Sequence, residues 1–152
     1  MSEQPKMVTL RHGEAQYADL LDTIRADTWL VGRMWVDAES QPDELDRPGT
    51  VWCVALVDGV PAAWCAATPD GAALRAHSNY EHPHHRERGL YAAAYAQRHR
   101  DVVQPSRLPA LTYLFAQPIP LHEGNGWQRT GTHGPGEVGG NWWWELHRDP
   151  TA

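Results

Sequence analysis

Hydrophobic and polar residues follow two different periods along the chain, and these periods predict its strands and helices. Strands are predicted where apolar residues alternate with polar ones or form a short run, at residues 7–11, 50–57, 60–68, 73–80, 110–116 and 141–147. Helices are predicted where apolar residues recur at helical spacing, at residues 13–27, 28–38 and about 89–103. The strands and helices alternate, so the order predicts one α/β domain.

Proline and glycine mark the connections between these elements. Asp58-Gly59 is a hairpin turn signal, and residues 69–71 give a second turn. Two prolines break the helix within residues 104–109, and residues 118–127 are predicted as irregular or weakly helical. Residues 130–140 are rich in glycine and are predicted as a loop.

Length and composition limit the class of protein. The chain has 152 residues, of which 41% are hydrophobic, so we expect a single domain over residues 1–152. No apolar run approaches the roughly 20 residues of a membrane helix, and the N-terminus lacks a signal-peptide apolar region. We therefore expect a cytoplasmic protein with no membrane partner. The net charge of −6 argues against a general nucleic-acid binder.

Cysteines and histidines do not predict a metal site. Cys53 and Cys65 lie on facing arms of the predicted hairpin, where a disulfide is geometrically conceivable, but two buried thiols in a reducing compartment are the simpler expectation. His82, His84 and His85 lie in one turn, which easily supplies at most two ligands. We expect no bound metal.

The segment between the predicted strand at 73–80 and the helix that follows is the strongest functional signal. A strand, a short Arg/Gly turn and a helix beginning at about Gly89 place unpaired backbone N–H groups at a helix N-terminus, where the dipole favours negative charge. Gly89 allows a ligand to approach the backbone closely. The segment therefore predicts a phosphate or pyrophosphate cradle. An ordinary helix N-terminus with a surface arginine pair is the alternative.

This segment resembles the acyl-CoA pyrophosphate loop of the GCN5-related N-acetyltransferase superfamily, whose pattern is roughly Val-x-Pro-x-x-Arg-Gly-x-Gly-Ile-Gly/Ala. The residues that carry the resemblance are Pro83, Arg86, Arg88, Gly89 and Leu90. The chain departs from the pattern at three positions, which hold Glu81, Glu87 and Tyr91. Downstream, Gly126-Trp127 resembles the late Gly-aromatic pair of the family.

The resemblance implies an α/β (α+β) fold. Its mixed, mostly antiparallel central sheet has six or seven strands, is flanked by about four helices and splays in a V between the strands on either side of the motif helix. The implied co-substrate is acetyl-CoA or another acyl-CoA. The cofactor-binding residues carried over are Glu81, His82, Pro83, Arg86, Glu87, Arg88, Gly89, Leu90 and Tyr91. The backbone of residues 86–91 would hold the pyrophosphate, with charge from the two arginine side chains, and residues 81–83 would pair with the pantetheine arm.

Three residues are candidates for catalysis. The family often uses a Tyr four residues before its Gly-aromatic pair as an acid, and His122 occupies that position here. A general base often lies on the strand before the motif, where His77 and Tyr80 are found. Strand alternation predicts His77 and residue 79 on one face, and residue 78 and Tyr80 on the other.

The resemblance therefore predicts an N-acyltransferase that moves an acetyl or acyl group from acyl-CoA to a small-molecule amine. Two alternatives stay open. One is a transferase of the same fold that uses a carrier-protein thioester or an aminoacyl-tRNA as donor. The other is a catalytically idle module that binds CoA or a metabolite, for which the missing acid Tyr is the support. A homodimer is a further expectation from the family.

Overall fold

A seven-stranded sheet forms the centre of the computed structural model, which describes residues 5–26, 47–82, 85, 88–135 and 142–151. The strands are β1 (Lys6–Arg11), β2 (Val51–Val57), β3 (Val60–Asp70), β4 (Ala73–Glu81), β5 (Ala110–Phe115), β6 (Trp127–Pro135) and β7 (Trp142–Arg148). Their order in the sheet is β1-β2-β3-β4-β5-β7-β6. Neighbouring strands are antiparallel except β4 and β5, which are parallel.

The described helices lie between these strands. They are α1 (Ala15–Ala26), α2 (Leu90–Arg98), α3 (Gln104–Ser106) and α4 (Ile119–Glu123), and a π-helical turn (His99–Val103) joins α2 to α3. Pro105 lies in α3 directly after the π-helical turn, and the helix ends at Ser106, so the predicted break comes after Ser106. The helix predicted at residues 28–38 lies outside the described residues.

The core has two layers, one on each face of the sheet. On one face, Leu90 of α2 packs on alanines of β2 and β3, and Ala94 packs on Cys53 and Cys65. On the other face, Tyr17 of α1 joins a buried aromatic cluster, and its hydroxyl accepts a hydrogen bond from Trp52 Nε1 at 3.1 Å. Small side chains under α2 allow the helix to approach the sheet closely.

Strands β4 and β5 pair only at their beginnings. Leu74 pairs with Ala110 and Arg75 with Leu111, and the Thr112 hydroxyl donates to the Ala76 carbonyl at 2.7 Å. Beyond these residues the two strands form no further pair, although β4 continues to Glu81 and β5 to Phe115. The predicted V-shaped splay is therefore confirmed.

A β-bulge interrupts β4 beside this splay. Trp64 pairs with Tyr80 and Ala66 with His77, so two residues of β4 stand opposite one residue of β3, and Ser78 takes the left-handed φ of 57°. The bulge changes the phase of the side chains. His77 contacts the Trp52 ring, and Tyr80 stacks on Trp64 on the same face. The predicted placement of His77 and Tyr80 on opposite faces is therefore wrong.

Two predicted connections also differ from the structure. Pro69 and Asp70 are the last residues of β3, and the turn itself is Gly71-Ala72. Residues 130–135 belong to strand β6 rather than to a loop, while residues 136–140 lie outside the described part of the chain. Cys53 and Cys65 face each other across β2 and β3 as free, buried thiols.

Candidate functional site

The gap between the ends of β4 and β5 is the candidate site, and one of its walls is an unpaired strand edge. The His82 N–H donates to the Ala62 carbonyl at 2.8 Å, so it points toward β3. Main-chain groups alternate along a strand, and those of Glu81 and Asn79 therefore point away from β3 and into the gap. An extended ligand can pair with such an edge as an additional strand.

The N-terminus of α2 lies at the outer end of this gap; together with Glu81 we call it the mouth. Gly89 is the N-cap residue with φ 73°, and the N-cap position supplies no side-chain hydrogen bond to the helix. A Cβ on Gly89 would meet nothing within 4 Å, so the left-handed backbone rather than crowding requires glycine there. Arg88 is exposed, and its Nη1 lies 3.3 Å from His85 Nδ1. Three predicted contact residues lie outside the described residues: Pro83, Arg86 and Glu87.

An acidic side chain occupies one amide of the mouth. The Tyr91 N–H, in the first turn of α2, donates to Glu81 Oε2 at 3.1 Å. An anion at a helix N-terminus gains about 0.3–1 kcal/mol from the unpaired N–H groups and the dipole. The prediction that this amide is free for a pyrophosphate is therefore incomplete, because the carboxylate already holds it.

The Tyr91 side chain turns away from the mouth and into the interior. Its ring packs beside Cys53, Cys65 and Ala94, and its hydroxyl donates to Asn79 Oδ1 at 3.0 Å. Burial raises the pKa of the Tyr91 hydroxyl. Only the main chain of Tyr91 faces the mouth, so its bulk does not crowd a ligand there.

At the inner end of the gap, Arg98 joins β3 and β4 to α4. We call Arg98 with its partners Asn79 and His122 the apex. The Arg98 side chain is fully buried. Its Nη1 donates to the Ala66 carbonyl at 3.1 Å and to Asn79 Oδ1 at 2.9 Å, and its Nη2 donates to His122 Nε2 at 3.2 Å. Ala66 pairs with His77 directly beside the bulge, so this contact places the Arg98 guanidinium next to the irregularity in β4.

His122 holds its proton away from the gap. Its Nδ1 lies 2.9 Å from the Pro118 carbonyl, which can only accept, so Nδ1 carries the proton and Nε2 accepts from Arg98. Burial, then the Arg98 charge, lowers the pKa of His122 to about 3. The acid role of His122 stays a prediction, and this geometry weighs against it.

The other two candidate catalytic residues lie on the opposite face of the sheet from Arg98 and His122. His77 is buried between hydroxyls, with Nε2 2.7 Å from Thr68 Oγ1 and Nδ1 2.8 Å from Ser78 Oγ. Burial, then Arg75 and Arg98, lowers the pKa of His77 to about 3. Tyr80 stacks on Trp64 with ring centroids 4.7 Å apart. The structure therefore does not bring the three residues together, and their catalytic roles stay predictions.

Sequence reasoning missed the apex as a unit. Leu90, Ala94 and Arg98 are spaced four residues apart on α2 and are all buried. A charged residue on the apolar stripe of a helix is the signal that marks Arg98, because a surface arginine would lie on the opposite side. Asn79 has no comparable signal, since its role depends on the bulge.

Comparison with solved structures identifies the fold. Escherichia coli ElaA matches with a TM-score of 0.74 and 10% identity over 96% of this chain and 100% of that one. An acyl-CoA N-acyltransferase from Pseudomonas aeruginosa matches with a TM-score of 0.67 and 12% identity, over 95% and 99% of the two chains. The PaiA N-acetyltransferase from Thermoplasma acidophilum, in complex with coenzyme A, matches at 0.56 and 10%, over 92% and 98%.

Identities this low establish the fold and not the activity. The chain has the fold of the GCN5-related N-acetyltransferases, as its sequence predicted. No family model matches the chain, and no curated protein matches it in sequence. Within the described residues, no helix is long and apolar enough to cross a membrane, and no group of three or more His, Cys, Asp or Glu side chains could hold a metal ion.

Proposed function

We propose that the chain is an N-acyltransferase that transfers an acyl group, by default acetyl, from acyl-CoA to a small-molecule amine. The observation that carries this proposal is the splay of β4 from β5 directly beside the N-terminus of α2. This arrangement offers an anion site and an unpaired strand edge in one continuous gap. The solved neighbour in complex with coenzyme A favours CoA over a carrier protein or a tRNA as the donor.

The donor would lie along the gap from the mouth to the apex. Its diphosphate would take the backbone N–H groups before Tyr91, with the exposed Arg88 side chain in reach of the phosphates. Its pantetheine amides would pair with the main chain of Glu81 and Asn79. The thioester would then stand at the bulge, where β4 and β5 have already parted.

Glu81 must give way when the diphosphate binds. Its carboxylate bonds to the Tyr91 N–H, and two anions at one helix N-terminus repel each other. We infer that the side chain of Glu81 rotates out of the mouth on donor binding. The resulting exchange of one anion for another weakens donor binding without preventing it.

The chemistry needs little more than alignment. The neutral amine attacks the thioester carbonyl, the C–N bond forms, and the C–S bond breaks. Holding amine and thioester together supplies a large part of the rate, and donors aimed at the developing charge supply more. The net charge of −6 favours a cationic amine as the partner that approaches.

Two measurements on the purified chain test this proposal. Acetyl-CoA is expected to raise the unfolding temperature. Acetyl-pantetheine, which lacks the diphosphate, is not expected to raise it at the same concentration. Release of free CoA thiol in the presence of an amine panel is expected to exceed the release without amine. Equal stabilisation by both compounds, or by neither, would overturn the assignment of the mouth to the diphosphate.

An idle CoA-binding module is the second candidate, and one observation favours it. The only ring proton of His122 is bonded to the Pro118 carbonyl, so the position of the family's acid offers none to a leaving thiolate. Stabilisation by acetyl-CoA without thiol release for any amine would favour this candidate. Thiol release with one amine excludes it.

A further inference from the structure

Arg98 carries a buried positive charge, and no group around it among the described residues neutralises that charge. A guanidinium stays protonated in proteins. Burial raises the pKa values of the nearby thiols and phenols, which stay neutral at neutral pH: Cys53, Cys65, Tyr91 and Tyr95. Burial, helped by nearby arginines, lowers the pKa values of the nearby imidazoles, which are also neutral: His77, His99 and His122. In the part of the chain that the structure describes, no carboxylate pairs with Arg98.

Hydrogen-bond donors are also in excess around the apex. Three buried donors have no acceptor among the described residues: Arg98 Nε, the Tyr95 hydroxyl and Trp127 Nε1. They surround His122, whose ring centroid lies 4.6 Å from that of Tyr95 and 5.4 Å from that of Trp127. The Tyr95 hydroxyl and the Trp127 N–H approach each other without hydrogen-bond geometry. Unpaired donors beside an unpaired cation favour an anion.

A purely structural role does not account for this arrangement. The bonds from Arg98 to Ala66 and Asn79 stabilise the bulge, and a neutral donor would serve them as well. Burying an unpaired charge costs several kcal/mol, which bulge support alone does not repay. The charge of Arg98 lies beside the gap. Its partner Asn79 is on β4, beyond the last residue of β4 that pairs with β5.

We propose that Arg98 is the counter-charge for the thiolate that leaves the acyl donor. This inference rests on the proposed function, and it makes Arg98 a positioning residue that acts from behind the wall of the gap. When the amine attacks, the C–N bond forms, the C–S bond breaks, and sulfur keeps the electron pair as a thiolate. The amine proton passes to water. The positive apex stabilises the thiolate, so no proton from His122 is needed.

The test compares binding of CoA and desulfo-CoA from neutral to alkaline pH by calorimetry. A cation near the sulfur lowers the pKa of the bound thiol, so CoA affinity relative to desulfo-CoA is expected to rise with pH. The rise should be about tenfold for each unit by which the bound thiol pKa falls below its free value. An opposite charge at close range shifts a pKa by about one to three units. Thiolate absorbance in the ultraviolet reports the same shift independently.

Variants at the apex then test whether Arg98 causes the lowered pKa of the bound thiol. Arg98→Lys is expected to keep the shift, whereas Arg98→Met is expected to abolish it and to lower kcat with little change in KM. Tyr95→Phe removes one unpaired donor, leaves the charge, and is expected to reduce the shift. Unfolding curves establish that each variant folds. If Arg98→Met does not fold, the pH dependence of the wild-type chain and that of Tyr95→Phe still test whether the apex lowers the pKa of the bound thiol.

The possible outcomes separate this inference from the proposed function. If CoA and desulfo-CoA both bind and their affinity ratio does not change with pH, the role of Arg98 is overturned while the donor site stands. Retention of the full shift in Arg98→Met overturns it as well. If neither compound binds, the proposed function itself fails.

Discussion

The two ends of the gap are opposites in charge and in bonding. At the mouth, the Glu81 carboxylate already bonds to the Tyr91 amide, so an anionic ligand must displace an anion that is part of the protein. At the apex, Arg98 is fully buried without an acidic partner among the described residues, and it ties β3 and β4 to α4. The mouth therefore already holds an anion, while the apex is a preformed positive site. A ligand with a diphosphate at one end and sulfur at the other matches both.

Acid should destabilise the fold through its buried imidazoles. The pKa values of His77 and His122 are lowered to about 3 in the folded chain, so between that value and about 6.5 the unfolded chain binds the additional protons. Their contribution to stability is therefore complete above about pH 6.5 and is lost as the pH falls. Each imidazole should contribute about 1.4 kcal/mol per pH unit.

Denaturation curves from about pH 6.5 down to about pH 5 measure this slope in the window set by the two pKa values. In His77→Asn and in His122→Asn, unfolding should take up about one proton fewer, so the slope should fall accordingly. In the double variant, unfolding should take up about two protons fewer. A slope that is unchanged in either variant would show that the corresponding imidazole is not held neutral in the folded chain.

Removing the shared acceptor of the apex should cost more than removing an ordinary amide. Asn79 Oδ1 accepts from both Arg98 and Tyr91, so Asn79→Ala is expected to lower the free energy of unfolding by about 2–4 kcal/mol, because buried donors lose their partner. Asn125→Ala is the matched control, since the Asn125 amide donates to a single carbonyl. Equal losses in denaturant titrations would remove the distinction between the apex and the rest of the core.

At the mouth, a smaller loss of stability is expected, together with a gain in CoA affinity. Glu81→Gln removes the internal anion, so CoA should bind about three- to tenfold more tightly while the free energy of unfolding falls by less than about 1 kcal/mol. Glu14→Gln makes the same change of net charge at an exposed position before α1 and should leave CoA affinity unaltered. Weaker CoA binding in Glu81→Gln would mean that the carboxylate supports the donor rather than competing with it.

The strands other than β6 and the position of α2 followed from apolar periodicity and from one strand–turn–helix motif. The splay followed only from the family resemblance that this motif carries. Strand β6 was missed because glycine and polar residues fill it. Gly134 lies in that strand for packing, since a Cβ there would lie 2.9 Å from the Trp143 ring. The apolar periodicity of the chain does not predict such a contact between neighbouring strands.

The apex depends on a local irregularity that leaves no mark in the pattern. A left-handed serine at residue 78 shifts the phase of β4, so His77 and Tyr80 share a face and Asn79 reaches Arg98. Nothing in the identity of Ser78 predicts its φ of 57°, because serine rarely adopts that conformation. The Glu81–Tyr91 contact at the mouth was equally hidden, since the Glu81 side chain meets the Tyr91 amide only after the chain has reversed.

A crystal structure of the chain with CoA tests the central claim most directly. We expect the diphosphate at the N-terminus of α2 with the Glu81 side chain turned away, the pantetheine along Glu81 and Asn79 of β4, and the sulfur at the inner end of the gap on the side of Arg98. CoA bound elsewhere with β4 and β5 undisturbed, or a diphosphate at α2 whose pantetheine arm leaves the gap, would contradict the account.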